Sequence, residues 1–346
     1  MFNEIKKQID RELIKFLKNI DRLYFLNKTS PLLSKYIKNF VLRGGKRIRP
    51  ILFVIGYRSF AKKIAPNLYT SALAIELLHN FMLVHDDIID KSDTRRGKPS
   101  MHAMFNNYLS GKKGVKLNGQ DLAIVAGDVM YAMAIQAFLA VEEKKERKEK
   151  ALRKFIEATI HTATGEFIEL IYGINDIKNI KKEDILRVYD YKTAYYTFAC
   201  PLAAGAILAG ASQPQAEKLS RYGIYLGRAF QIKDDTISMF QEEKQTGKSS
   251  LSDLKEAKKT LIIWYTYHHT DKKNQNAIRR IFSKNNANRN DLLAIRKIVA
   301  GSGALEYAKK EISGLLRKSQ KAIESSSIKP PYRALLVNYT QNILNV

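Results

Sequence analysis

The sequence predicts an all-α protein, built as a single helical domain over residues 1–346. Three observations predict it. Apolar residues recur at helical spacing almost throughout, and strand-like alternation is scarce. Eight prolines are few for 346 residues, so long helices go uninterrupted. Gly, Pro, Ser, Asn and charges instead cluster near Asn27–Ser30, Arg95–Pro99, Ser110–Gly119, Gly173–Lys181, Gln241–Ser252, Asn285–Asn290 and Ser325–Pro331. These breaks divide the chain into on the order of ten helices or more. At ~150 residues per domain the length allows two domains or one large one, and no internal repeat is visible. A chain of this size buries a sizeable core without disulfides or a structural metal.

Composition excludes several classes. The one cysteine, Cys200, rules out a disulfide framework and a cysteine zinc site, and fits a reducing, cytoplasmic compartment. With 45% hydrophobic residues the chain is globular rather than disordered. Its net charge of +25 suits a polyanionic partner (nucleic acid, a lipid surface or a phosphorylated substrate), or simply a lysine-rich surface, since the lysines spread along the whole chain.

The N-terminal MFNEIKKQIDRELIKF mixes acids and bases and has no apolar core, so it is not a signal peptide. The apolar run CPLAAGAILAGA (200–211) is too short to span a bilayer, so no transmembrane segment is expected. RGGKRIRP (43–50) places four basic residues around a Gly-Gly turn, where Lys46 and Arg49 could meet an anionic group. It lacks the interleaved aromatics of single-strand binding, and no nucleic-acid partner is expected.

LLHNFMLVHDDIID (77–90) is an apolar helix ending in carboxylates. Asp86 and Asp90 lie about 40° apart on the wheel and one turn apart; Asp87 lies about 100° round from Asp86. Three acids at a helix C-terminus repel one another and the helix dipole. A divalent cation removes that penalty, and oxygen-only ligands suit Mg²⁺. On this motif alone, a solvated helix terminus and a metal site both stay open. Arg95 and Arg96 follow in DTRRGKPS, and guanidinium groups pair with phosphate. His79 lies about 20° from Asp86 on the wheel and shares the acids' face. His85 is expected in the core, and His268 and His269 on the surface.

SGKKGVKLNGQ (110–120) reads as a surface loop, and EEKKERKEK (142–150) as a solvated helix end. In GRAFQIKDDTISMFQEEKQTGKSS (227–250), Asp234 and Asp235 are expected to close an apolar helix, with Gln231 about one turn before. If this helix faces the first acidic one, metals would sit between them with a diphosphate across the gap. TGKSS (246–250) is not a P-loop, because Glu242 stands where the first glycine belongs and no strand precedes it. Lys192, Lys248, Lys258 and Lys259 add positive charge near these acids in sequence order.

Together GGKRIRP, ELLH, DDIID with RRGKP, KT (192–193), FQIKDD, GK (247–248), SD (252–253) and KKT (258–260) give a chain that resembles the trans-isoprenyl diphosphate synthases (the polyprenyl synthetase family) from about Leu32 to Leu336. The resemblance implies an all-α bundle around a deep central cavity, the isoprenoid synthase type, usually in a homodimer. It implies a prenyltransferase: an allylic diphosphate ionises, isopentenyl diphosphate attacks the carbocation head to tail, and a proton leaves with pyrophosphate. By the same resemblance Asp86, Asp90 and Asp234 ligate about three Mg²⁺ ions. Arg95, Lys192, Lys248 and Lys258 hold the allylic diphosphate. Lys46, Arg49, His79 and Arg96 hold isopentenyl diphosphate. Thr193 and Gln231 line the cation's path, and Asp87 belongs to the catalytic group.

By the same resemblance Phe81 and Met82, fifth and fourth before Asp86, are the chain-length positions, with Phe81 as ordinary core packing the alternative, and the uninterrupted DDIID resembles archaeal-type geranylgeranyl diphosphate (C20) synthases. The wheel puts Met82 about 40° and Phe81 about 140° from Asp86, so the C20 expectation comes from resemblance. Farnesyl (C15) or longer products stay open. Ser238 stands where the family has a third aspartate, and Asp234, Ser238 and Glu242 at i, i+4, i+8 are similar to the second metal motif of class I terpene cyclases. A cyclase reading, and one of a non-catalytic partner subunit, therefore stand as rivals. Against a cyclase are Lys46, Arg49, His79 and Arg96, a set for a second diphosphate. NYTQNILNV lacks the basic ending common in the family, which bears on lid closure.

Overall fold

A computed structural model describes residues 1–240, 250–284 and 286–344. Helices dominate, as periodicity predicted; among the described residues the strands are a two-residue pair. Packing groups the residues into two compact units, 1–153 with 204–211, and 154–203 with 212–346.

The first unit is built from α1 (Phe2–Tyr24), α2 (Leu26–Thr29), α3 (Pro31–Val41), α4 (Ile48–Arg58), α5 (Leu68–Ile89), α6 (Met101–Leu109) and α7 (Gly119–Leu139). Amphipathic α1 buries Ile5, Ile9, Leu13, Phe16, Leu17 and Ile20 as one stripe. The central helix α5 packs against α7, α4 and α1. It is buried at Leu68, at every residue from Ser71 to Leu78, and again at Asn80, Val84 and Asp87. That explains the apolar run from Ala72 to Leu78, broken by Glu76, which pairs with Arg47. A capping box at Asn118 and Asp121 starts α7.

Between α5 and α6, β1 (Thr94–Arg95) pairs antiparallel with β2 (Lys98–Pro99), with Arg95 opposite Lys98. The two-residue turn holds Arg96 at φ 55° and Gly97 at φ 68°. Both central residues are left-handed, the type I′ pattern that matches strand twist. Gly97 adopts this freely, whereas Arg96 bears a cost of about 1–2 kcal/mol.

The second unit holds most of α8 (Lys145–Ile174), then α9 (Lys182–Val188), a π-helix (Tyr189–Ala199), the first residues of α10 (Cys200–Leu208) and α11 (Gln213–Phe240). Shorter helices follow: α12 (Ser250–Lys255), α13 (Leu261–His268), α14 (Lys272–Phe282), α15 (Arg289–Gly301), α16 (Ala304–Glu324) and α17 (Pro330–Leu344). Its centre is α11 packed on α16 and on the π-helix. Glycines on α11 and α8 allow a close approach to the π-helix. A Cβ at Gly165, Gly223 or Gly227 would stand 2.5 Å from Lys192 N, Ala199 N or Ala194 Cα respectively.

One expectation needs correction. Asp234 and Asp235 do not close their helix, because α11 runs on to Phe240. Thr236 lies within it, its hydroxyl donating to the Ile232 carbonyl at 2.7 Å. Among the described residues α7 alone is long and apolar enough to cross a membrane, yet it packs against α5 and α6 and carries Asp121 and Asp128.

Candidate active site

In the first unit the aspartates stand at the end of α5. Asp86 and Asp90 each present a carboxylate oxygen, the two within 4.8 Å of one another. The helical one-turn spacing brings them together. Asp87 points elsewhere, as the wheel requires, and is fully buried. Arg95 on β1 donates from Nε to Asp87 Oδ1 at 2.7 Å and from its terminal nitrogen to Asp86 Oδ2 at 3.3 Å, and it pairs again with Asp87. Burial pulls the Arg95 guanidinium down, but the Asp87, Asp86 and Asp90 charges outweigh it and hold it above the ordinary arginine range. Asp87, expected in the catalytic group, is thus the residue that fixes Arg95.

Next to these acids is a collection of guanidinium groups. Arg47 is buried, 2.5 Å from Glu76 and 3.0 Å from Asp10. Lys46, exposed, precedes it in the same turn, and Arg49, half-buried, follows in the first turn of α4. Arg96 NH1 donates to the Arg43 carbonyl at 3.2 Å, and its guanidinium lies over Gly45, 3.5 Å from where a Cβ would be. His79 feels the whole group. Burial, then the charges of Arg49, Arg96, Arg95 and Arg47, hold its imidazole well below the usual histidine range. Arg96 is also lowered, first by burial and then by Arg47, Arg49 and Arg95. The charges crowded on Arg96 and His79 are of the kind that an anion bound among them would relieve. His79, Arg49 and Arg96 lie close to one another, three of the four residues that the resemblance groups with Lys46.

Phe81, half-buried, packs on His85 at a centroid distance of 4.5 Å and on Tyr131 of α7 at 5.3 Å. A Cβ at Gly127 would stand 2.6 Å from the His85 ring. His85, expected in the core, is half-buried against Phe81, and Met82 is half-buried too. His268 and His269 are exposed, as expected.

In the second unit Lys192 leaves the π-helix to meet Glu166 at 2.6 Å and Glu169 at 2.5 Å, both on α8. Thr193 donates to Gln231 at 2.7 Å, and Gln231 donates to Asp235 at 2.8 Å. Asp234 is exposed on the side of α11, one turn from half-buried Ser238. Lys258 pairs with Glu256 at 2.6 Å. Lys248 and Glu242 lie outside the described residues.

Sequence reasoning missed Glu166 and Glu169. Their signal was available: two acids three apart inside the otherwise apolar GEFIELIYG, a spacing that puts both on one helix face. It also missed Tyr189, whose hydroxyl donates to Asp235 and accepts from the Leu261 amide at 2.9 Å. No local pattern marks a tyrosine for that role. A run of π-helix is itself a frequent companion of functional sites.

The polyprenyl synthetase family model matches residues 30–299. The short chain isoprenyl diphosphate synthase of Methanocaldococcus jannaschii is 30% identical, over 88% of this chain and 84% of its own length. The geranylgeranyl diphosphate synthase of Methanosarcina mazei is 31% identical, over 80% and 78%. The octaprenyl diphosphate synthase of Escherichia coli is 31% identical, over 90% and 89%. Among solved structures, a geranylgeranyl pyrophosphate synthase from Corynebacterium glutamicum, complexed with isoprenyl diphosphate and magnesium, superposes with a TM-score of 0.89 at 26% identity, covering 99% of each chain. The chain belongs to the polyprenyl synthetase family and is a trans-prenyl diphosphate synthase.

Proposed function

We propose that the protein condenses isopentenyl diphosphate head to tail with an allylic diphosphate to make geranylgeranyl diphosphate, all 346 residues serving as one catalytic domain. The observation that carries this reading is the guanidinium group around neutral His79, beside the Asp86 and Asp90 carboxylates. A cyclase binds one diphosphate and has no use for a second anion site; chain elongation needs two.

The donor set fits a hard divalent ion. Asp86 and Asp90 offer only oxygen, at a separation one ion can span. We assign Asp86, Asp90 and Asp234 as Mg²⁺ ligands, with about three ions as the family implies. Bound magnesium would neutralise the charge that builds on departing pyrophosphate. Arg95, locked by Asp87, presents a fixed cation to the allylic diphosphate, so no reorganisation is needed as charge develops. Lys192, Lys258 and Lys248 complete that role. Lys46, Arg49, Arg96 and His79 hold isopentenyl diphosphate, with the neutral imidazole as a hydrogen-bond donor. When the allylic C–O bond breaks, its electron pair leaves with pyrophosphate. The isopentenyl double bond then forms the new C–C bond, and a proton is lost to the released pyrophosphate. Thr193 and Gln231, joined by their hydrogen bond, present oxygens along the cation's path.

Phe81 at the fifth position before Asp86, backed by His85 and Tyr131, supports a C20 product. The relatives' names span short-chain to octaprenyl products, so length is the finer part of the proposal. We further propose a cytoplasmic homodimer, with nucleic acid no partner. The exposed apolar stripe of α8 supports the dimer, and the single buried thiol fits a reducing compartment.

Purified protein incubated with Mg²⁺, isopentenyl diphosphate and labelled farnesyl diphosphate should yield labelled geranylgeranyl diphosphate by mass spectrometry. A labelled hydrocarbon or alcohol would establish the cyclase. Inactivity of the folded chain alone would favour the partner-subunit reading, and a longer diphosphate would revise product length only.

A further inference from the structure

Lys258 sits in a segment with little regular structure of its own, the stretch 256–260 between α12 and α13. Ala257 within it is held at φ 52°, a left-handed conformation an alanine adopts at a cost. Something must therefore hold this segment in place. Two side chains do. Lys259 is buried, and its ammonium donates to the Gly173 carbonyl at 3.0 Å and the Ala257 carbonyl at 2.8 Å, over the Phe282 ring. At the other end, the Leu261 amide donates to the Tyr189 hydroxyl at 2.9 Å. That amide is the first of α13, an orphan donor that needs a partner.

Tyr189 faces two ways. Its own proton goes to Asp235, whose other oxygen accepts from Gln231, which in turn accepts from Thr193. One buried hydroxyl thus links the second aspartate pair, the Thr193–Gln231 pair and the start of α13. We infer that Tyr189 is a positioning residue, whose hydroxyl ties Asp235 to the Leu261 amide and thereby sets Asp234 and the Lys258 segment in one register. The ring is 5% exposed, too deep to touch substrate. Burial, and then the Asp235 charge, keep the phenol protonated, so it remains a donor to Asp235. The inference rests on the prenyl-transfer reading and names how that site is held.

Tyr189→Phe keeps the ring and removes both hydrogen bonds. It should lower kcat about tenfold, since small misplacements of catalytic groups are costly. KM for isopentenyl diphosphate should stay within twofold, because Arg49, Arg96 and His79 are untouched. A general loosening of the fold would move both. Asp235→Asn removes one acceptor and should show the same split, which keeps the test alive if the phenylalanine variant does not fold. Combined, the two substitutions should cost little more than either alone. A kcat within twofold of wild type, a parallel rise in KM for isopentenyl diphosphate, or fully multiplicative effects would overturn the inference. Wild-type protein serves as the control: inactive wild type defeats the prenyl-transfer reading, whereas active wild type with an unchanged variant defeats only the role of Tyr189.

Discussion

His79 shows how a residue's chemistry is set by charges that sequence order hides. On the wheel it shares a face with Asp86, which suggests attraction to carboxylates; in the fold, burial and four arginines decide its state and keep it neutral. The consequence for stability has a definite sign. Unfolded, a histidine takes up a proton near pH 6.5; folded, His79 does so only well below that. Between those values the unfolded chain binds more protons, so stability falls as pH drops through about 6.5. His79→Gln lacks this loss, so the urea-midpoint advantage of wild type over the variant should shrink from pH 7.5 to pH 5.5, and an unchanged gap would contradict a neutral His79. Asp86→Ala and Asp234→Ala should each reduce turnover by about 10²-fold or more, on the scale of losing a transition-state charge contact, with far-UV circular dichroism preserved; near-normal activity in either would defeat its metal assignment. Phe81→Ala should lengthen the product, seen by mass spectrometry, because removing the ring opens space beside Tyr131 and His85. The closeness of Asp86 and Asp90, which follows from spacing on one helix, was legible in the sequence. Residues whose partners come from distant segments were not: Glu166 and Glu169 meeting Lys192, or Tyr189 meeting Leu261.

At the scale of elements, helices were readable because burial imposes a 3.6-residue period, and the breaks because Gly, Asn and Ser release it. The π-helix was invisible because widening the backbone hydrogen-bond register changes no residue type. The end of α11 was misjudged for a related reason: aspartates look like terminators, but a solvent-facing carboxylate is tolerated mid-helix when the backbone continues behind it. Glycine positions give the clearest test at this scale. In a helix, alanine outranks glycine by about 1 kcal/mol. At Gly165 that gain is lost, because a Cβ would stand 2.5 Å from Lys192 N and 2.8 Å from Tyr191 Cβ. Overpacking of this kind costs about 1–3 kcal/mol, so Gly165→Ala should lower the urea midpoint and, by moving the Lys192 backbone, also kcat. Gly314 on α16 has nothing within 4 Å of a Cβ, so Gly314→Ala should stabilise by about 0.5–1 kcal/mol. Equal effects at both sites would show that helix propensity, not the close approach to the π-helix, governs Gly165.

For the whole molecule, the apolar surface and the net charge pull in opposite directions. Along α8, Ile156, Ile160, Phe167, Leu170, Ile171 and Ile174 are all exposed, Phe167 at 64% and Ile174 at 81%. Positions 156, 160, 167, 171 and 174 recur about every 3.5 residues, the spacing of a seam between helices. So many large apolar side chains on one stripe are unusual for a monomer's surface, and a second copy could cover them through a twofold axis. Each copy carries a net charge of +25, so association works against electrostatic repulsion that salt screens. The dimer should therefore tighten as ionic strength rises, the reverse of what a salt-bridged interface would do. Ile160→Glu places a carboxylate on each side of a twofold seam, where burying unpaired charge costs several kcal/mol. It lies far enough along α8 from Glu166 and Glu169 to leave the Lys192 pairing undisturbed, so it separates assembly from chemistry better than a change at Phe167 would. Analytical ultracentrifugation at micromolar concentration should show wild type as a dimer and Ile160→Glu as a folded monomer. Wild type sedimenting as a monomer, or the variant as an equally tight dimer, would remove α8 from the interface.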